Sequence, residues 1–171
     1  MISRKKFIVS GITGTSALLL NPFKVYAAKD EKPQLKNELV KEFVGTSHRD
    51  ITRVVEMHKQ YPTLLNAAWD WGGGDFETAL GAASHVGYIE LVNYLLENGA
   101  QMNFLTCCLM GKTDLVKNML QLYPFLINMK GPHGFTPLHH AIQGETNALE
   151  VKEYLESLGA KETKLQLQYV E

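Results

Sequence analysis

Apolar residues recur at the spacing of an amphipathic helix through most of the chain after residue 40. Two such stretches contain Leu91, Val92, Leu95 and Leu96, and Leu115, Val116, Met119 and Leu120. A shorter apolar group precedes each stretch, and a glycine, Gly87 or Gly111, separates the two groups. Since residues three and four apart share one face of a helix, the pattern predicts pairs of short antiparallel helices.

Several short sequences return further along the chain. Residues 61–66 read YPTLLN, and 62 residues later residues 123–128 read YPFLIN. Two further pairs of matching segments are 78–83 (TALGAA) with 136–141 (TPLHHA), and 95–100 (LLENGA) with 155–160 (LESLGA). A single helix pair cannot cover its own apolar face, so similar pairs must stack side by side into a solenoid with a continuous core.

Residues 134–141, GFTPLHHA, resemble the Gly-x-Thr-Pro-Leu-His-x-Ala signature of ankyrin repeats. The pairs Gly99-Ala100 and Gly159-Ala160 resemble the Gly-Ala pairs that close such repeats. The resemblance implies an all-α fold, an ankyrin-repeat solenoid of about four helix-turn-helix repeats with short fingers of the β-hairpin type. It places the ankyrin-repeat domain at residues 40–160, after a linker or capping segment at 29–39.

Other units depart from this signature. Ala79 stands where the signature has proline, and Gly81 stands where it has histidine. Between Gly87 and Gly111 there are 24 residues, whereas a full ankyrin repeat has about 33. We therefore expect the finger between the second and third repeats to be missing. In the C-terminal tail, 161–171, Leu165 and Leu167 alternate with polar residues, which is typical of an edge strand or of an arm that reaches a neighbour.

The first 28 residues have the layout of a secretory signal peptide. Arg4, Lys5 and Lys6 precede 14 mostly apolar residues, 7–20, and small residues follow at Ala27 and Ala28. The apolar stretch is shorter than the roughly 20 residues that a membrane span needs. Residues 3–8, SRKKFI, resemble the twin-arginine export motif with lysine in place of the second arginine, so the general secretory route stays open. We expect export to the periplasm, or secretion if the host has no outer membrane, and no stable membrane insertion after cleavage.

Charge argues against a nucleic-acid partner. The first 27 residues hold four of the 17 basic residues and none of the 18 acidic ones, which leaves the rest of the chain with a net charge of −5. Binding to a phosphate backbone needs clustered lysine and arginine.

The most unusual segment is 67–77, AAWDWGGGDFE, which contains both tryptophans and three consecutive glycines. An aromatic group beside acidic residues on a glycine-rich loop is typical of a protein-binding hot spot. The candidate partner-binding residues are Trp69, Asp70, Trp71, Asp75, Phe76 and, in the matching later finger, His133. The alternative is that one or both tryptophan rings fold back and cap the first repeat or the joint that lacks a finger, because tryptophan is highly buried on average.

The sequence contains no metal-binding or catalytic motif. Adjacent Cys107 and Cys108 read as small apolar residues of a buried helix, with a vicinal-thiol metal or redox site as the alternative. In the ankyrin signature, His139 and the Thr136 hydroxyl are expected to bond to backbone around the helix start and the adjacent turn. The remaining histidines, His48, His58 and His85, are isolated in the sequence. A calcium site at Asp70, Asp75 and Glu77 has no recognised loop pattern.

These features predict a protein–protein interaction module, an ankyrin scaffold that acts in the periplasm, with another protein as its partner. We expect no enzymatic activity, no catalytic residue, no metal and no cofactor. The alternative is a periplasmic protein that binds a small ligand or a metal through the tryptophan–glycine loop and the cysteine pair. The resemblance to bacterial ankyrin proteins suggests a link with oxidative-stress defence for that alternative.

Overall fold

A computed structural model describes residues 33–168, and the predicted signal peptide, 1–28, lies outside them. The described part contains four helix pairs in chain order, in agreement with the predicted solenoid of about four repeats. The pairs are α1 (Asn37–Thr46) with α2 (Ile51–Gln60), α3 (Ala79–His85) with α4 (Ile89–Glu97), α5 (Phe104–Leu109) with α6 (Thr113–Leu122), and α7 (Pro137–Gln143) with α8 (Leu149–Ser157). Over residues 33–168 no helix is long and apolar enough to cross a bilayer.

The first helix of each pair stacks on the first helix of the next, so that α1, α3, α5 and α7 form one row. Every residue of α3 and of α5 is buried. Two clusters of apolar side chains make up the core, one within the first two repeats and one within the last two, and α5 contributes to both. Cys107 and Cys108 are free thiols on this buried helix, as the apolar interpretation predicts.

Side chains cap the starts of the first helices. Thr78, Asn103 and Thr136 occupy the same position in successive repeats, and each accepts a hydrogen bond from the backbone N–H three residues later, at 3.1, 2.9 and 3.3 Å. Such a cap satisfies one of the N–H groups that a helix start leaves without a partner. The threonine of the repeated sequence therefore marks where each first helix begins.

The Gly-Ala pairs end the second helices as predicted. Gly99 and Gly159 have φ angles of +92° and +96°, in the left-handed region that favours glycine. The N–H of the following alanine donates to the carbonyl five residues earlier, from Ala100 to Leu95 at 2.9 Å and from Ala160 to Leu155 at 3.0 Å. This is the Schellman arrangement, which turns the chain sharply away from the helix axis.

The fingers differ between repeats. Before α3 the chain forms a two-stranded antiparallel hairpin, β1 (Ala68–Asp70) with β2 (Phe76–Thr78). Residues 98–103, which join α4 to α5, contain no strand, which confirms the missing finger. The last finger, 129–136, pairs with the C-terminal tail of the same chain through an antiparallel bridge between Phe135 and Lys164. The tail thus has the edge-strand role rather than that of an arm.

The repeat register predicts which leucines carry stability. Leu95 and Leu138 are buried, and Leu122 is 72% exposed. We expect Leu95→Ala and Leu138→Ala each to lower the free energy of unfolding by about 2–5 kcal/mol, because each leaves a cavity in the core. Leu122→Ala should change it by less than about 0.5 kcal/mol. Urea titration measures all three, and near-neutral results at both buried positions would refute the register.

Candidate functional site

The β1–β2 hairpin is held by its own side chains. Trp69 pairs with Glu77 and Asp70 with Phe76 across the two strands. The Asp70 carboxylate accepts hydrogen bonds from the backbone N–H groups of Gly72 and Gly74, at 2.8 and 3.1 Å. Asp70, one of the candidate partner-binding residues, therefore orders the glycine turn of the hairpin.

Both tryptophan rings lie against the first repeat. Trp69 is half-buried against the first core cluster, with the Lys41 ammonium 5.6 Å from its ring centre. Trp71 is 37% exposed and lies over α1, where an added Cβ at Gly45 would come within 3.7 Å of its ring. This arrangement matches the capping alternative for the tryptophans. Their part in binding a partner stays a prediction.

A cluster of four ionisable side chains lies beneath Trp71. We call His48, Glu77, His85 and His133 the histidine–glutamate cluster. One potential ligand atom from each lies within 4.8 Å of every other. The His85 Nδ1 is 3.0 Å from Glu77 Oε1, and the His48 and His133 Nε2 atoms are 3.4 and 3.6 Å from Glu77 Oε2.

Glu77 is the centre of this cluster, and its side chain has no exposed surface. In the last finger the corresponding residue is Phe135, also directly before the threonine cap. The Trp71 Nε1–H donates to Glu77 Oε2 at 2.8 Å. The other carboxylate oxygen, Oε1, and the nearby His85 Nδ1 are both buried without a hydrogen-bond partner. Buried polar atoms are nearly always hydrogen-bonded, so two such atoms in one cluster are exceptional.

Backbone and carboxylate groups orient two of the imidazoles. The His48 Nδ1 donates to the Gly45 carbonyl at 3.1 Å, and the His133 Nδ1 donates to Asp75 Oδ2 at 2.8 Å. The His133 backbone N–H also donates to Asp75 Oδ1, at 2.9 Å. Because Nδ1 carries the proton in both rings, Nε2 of each ring faces the cluster with a free lone pair.

A groove of about 300 Å³ lies beside the cluster, between the β1–β2 hairpin and the last finger. Asn103 and Leu105, at the start of α5, line it where a finger of the third repeat would stand. Phe76 borders one side, and Lys130 and Leu167 border the other. Phe76 is 63% exposed, so the groove has a solvent-facing aromatic edge.

A model of three consecutive ankyrin repeats matches residues 25–164, most of the chain. The chain belongs to the ankyrin-repeat family. Among curated proteins, alpha-latrocrustotoxin-Lt1a of Latrodectus tredecimguttatus is 28% identical over 91 residues, which are 48% of this chain and 6% of that protein. The chain spans a small part of that relative, so the likeness concerns the repeats and not the whole protein.

The ankyrin stack corrects two sequence predictions. His48 and His85 are not isolated, because stacking brings the end of α1 and the end of α3 to the same place. His58 lies elsewhere and bonds through Nδ1 to the Tyr94 hydroxyl at 2.9 Å. Asp75, a candidate for partner contact, is buried and bonded to His133 instead. The signal for the cluster was Glu77, an acidic residue at a position that the next finger fills with an aromatic ring.

The signature histidines have structural roles in this ankyrin domain. The His140 Nδ1 donates to the Thr136 carbonyl at 2.8 Å, one turn back in its own helix. The His139 Nε2 donates to the His85 carbonyl at 2.8 Å, at the end of α3 rather than around its own helix start. The Thr136 hydroxyl donates to the Glu162 carbonyl at 2.7 Å and so ties the tail to α7. Each contact is with backbone, as the signature implies.

The cysteine pair is chemically shielded. Cys107 and Cys108 are not members of the histidine–glutamate cluster. Burial raises the pKa of both thiols, and the neighbouring Cys107 adds to the effect at Cys108. A thiol needs to be a thiolate to act as a nucleophile or metal ligand, so this environment suits a packing role.

Burial of His140 makes stability depend on pH. Burial lowers the pKa of His140 to about 4, whereas an unfolded histidine titrates near 6.5. Between these values the unfolded chain binds the extra proton, so stability falls as pH decreases, by at most about 1.4 kcal/mol per pH unit. His140→Asn, whose amide can still donate to Thr136, should flatten this slope. Urea unfolding at pH 7 and pH 5 measures it, and equal slopes in wild type and variant would contradict the assignment.

Proposed function

We propose that this ankyrin-repeat protein is a non-enzymatic module that binds another protein through the groove between its fingers. The observation that carries the proposal is Phe76, a large aromatic side chain that is 63% exposed at the edge of the groove. Exposed aromatic residues are over-represented among the residues that dominate binding energy at interfaces. The family match favours an interaction module over the small-ligand alternative.

The lining of the groove suits a segment of polypeptide. It combines an apolar edge at Phe76, a cation at Lys130 and the side-chain amide of Asn103. An extended partner segment can place one apolar side chain against Phe76 and satisfy its backbone with the polar groups. The groove is open along one side, so a partner can enter without unfolding the stack.

The convex side of the stack provides a matched control surface. Leu122 and Phe125 are each 72% exposed there, at the end of α6 and in the turn after it. Exposure alone would make these residues equally good candidates. They differ from Phe76 in having no finger beside them, so the comparison isolates the groove.

A photo-reactive residue at position 76 or at position 125 tests the site. We expect cross-linking in the native host to trap one protein at position 76 and not at position 125. With that protein purified, Phe76→Ala should weaken binding by tenfold or more, about 1.4 kcal/mol, and Phe125→Ala should leave it unchanged. Cross-linking confined to position 125, or full affinity in Phe76→Ala, would place the interface elsewhere.

We also propose that the protein acts in the periplasm of a bacterium. The support is the basic, apolar and small-residue layout of residues 1–28 together with the twin-arginine-like sequence at 3–8. Export would remove this segment and leave the repeats, whose described helices are all too short and polar to span a bilayer. A periplasmic partner would then meet the domain with its net negative charge.

Intact mass measurement of the protein from fractionated host cells tests this location. We expect the periplasmic form to begin after Ala27 or Ala28, and Arg4→Gln combined with Lys5→Gln to leave the full-length precursor in the cytoplasm. Repeating the fractionation in a host that lacks the twin-arginine translocase distinguishes the two export routes. A full-length protein confined to the wild-type cytoplasm would refute the location.

A further inference from the structure

We propose that His48, Glu77, His85 and His133 bind one divalent transition-metal ion, with Zn²⁺ as the ion that best fits the ligand set. Three imidazoles and one carboxylate are borderline ligands that suit zinc and its neighbours better than calcium or magnesium. Four protein donors complete a tetrahedral shell, which is typical of a structural site. The site is separate from the proposed protein-binding groove and does not depend on it.

The distances fit a small ion. Zinc bonds to nitrogen and oxygen are about 2.0–2.2 Å long, so neighbouring ligand atoms of a tetrahedral site lie about 3.3–3.6 Å apart. The Glu77 oxygens are 3.0 Å from His85 Nδ1, 3.4 Å from His48 Nε2 and 3.6 Å from His133 Nε2. The largest separation among the four chosen atoms is 4.8 Å at most, which a small inward rotation of the exposed-edge rings closes.

The unpartnered atoms point to a ligand. Glu77 Oε1 and His85 Nδ1 are buried and lack hydrogen-bond partners, although they face each other at 3.0 Å. Trp71 already holds the other carboxylate oxygen of Glu77. A metal ion between these two atoms would satisfy both, since each offers a lone pair and neither needs to donate.

The outer contacts resemble those that orient metal ligands in proteins. A metal-bound histidine nearly always donates its other ring N–H to a carboxylate or a backbone carbonyl. Here His133 donates Nδ1–H to Asp75, and His48 donates Nδ1–H to the Gly45 carbonyl. Both rings are thereby fixed with Nε2 towards Glu77. This orientation exists without any reference to a metal and is therefore independent support.

Charge gives a further reason. Glu77 and Asp75 are both buried, and three neutral imidazoles do not balance two carboxylates. Burial of an uncompensated charge is costly, so such groups are paired or coordinate metals. A divalent ion offsets both negative charges at once. Without it, two of the three imidazoles would have to carry protons.

The bound ion would connect distant parts of the stack. His48 follows α1 in the first repeat, Glu77 and His85 belong to the second repeat, and His133 belongs to the last finger. Metal binding would therefore cross-link three of the four repeats, and it would stabilise the folded state by mass action.

Calorimetric titration of untagged, chelator-treated protein with ZnCl₂ tests the site. We expect one equivalent to bind and the melting temperature to rise. Glu77→Gln and His133→Asn should each weaken binding by about 100-fold or more, since each removes a ligand. Asparagine suits position 133 because its φ angle is +57°, a conformation that asparagine tolerates. His58→Gln, a histidine outside the cluster, should bind like wild type, and circular dichroism verifies that each variant is folded.

A second measurement uses wild-type protein alone. Zinc should shift the imidazole NMR resonances of His48, His85 and His133 and leave that of His58 in place. Titrations with Co²⁺, Ni²⁺, Cu²⁺ and Mn²⁺ identify the preferred ion. The proposal is overturned if folded protein binds none of the five ions at one equivalent, if both ligand variants bind like wild type, or if the shifted resonances belong to other histidines.

Discussion

Burial of the first helices between their neighbours is the constraint on which this stack depends. Every residue of α3 and α5 is buried, and each of these helices lies between two others of the same row. Such close packing requires small side chains, and α3 is built mainly of alanine, glycine and serine. Polar groups that enter the row must find partners inside it, and the Ser84 and Thr106 hydroxyls do so by bonding to each other at 3.0 Å. The core is therefore continuous only while all repeats are present.

The length of the connections then decides what the fingers can do. Because residues 98–103 form no strand, nothing separates the β1–β2 hairpin from the last finger. Asn66 takes part of the missing contact by accepting the Gln101 N–H at 2.9 Å. The two remaining fingers meet through Asp75 and His133, and the groove opens beside that contact. One shortened repeat thus produces both the groove and the approach of the histidines.

The sequence was sufficient for the repeat pattern because each helix pair obeys local rules. Apolar spacing, the threonine caps and the Gly-Ala ends predicted the pairs and their stacking. The candidate site was less accessible. His48 and His133 are 85 residues apart in the chain, and no local rule describes the contact between their fingers and loops. The internal comparison did contain one signal, because Glu77 aligns with Phe135, and a carboxylate in a buried aromatic position calls for compensation.

That alignment also separates folding from function. In the last finger Phe135 stacks on His139 and His85, with ring centres 4.1 and 5.0 Å apart, so an aromatic ring is sufficient to pack this position. Glu77 fills the equivalent position with a charge that the fold alone does not need. Its nearest histidines are oriented by Asp75 and by backbone, and Asp75 also joins the two fingers that border the groove. An ion held by Glu77 would therefore set the separation of those fingers, and through it the width of the surface that meets a partner.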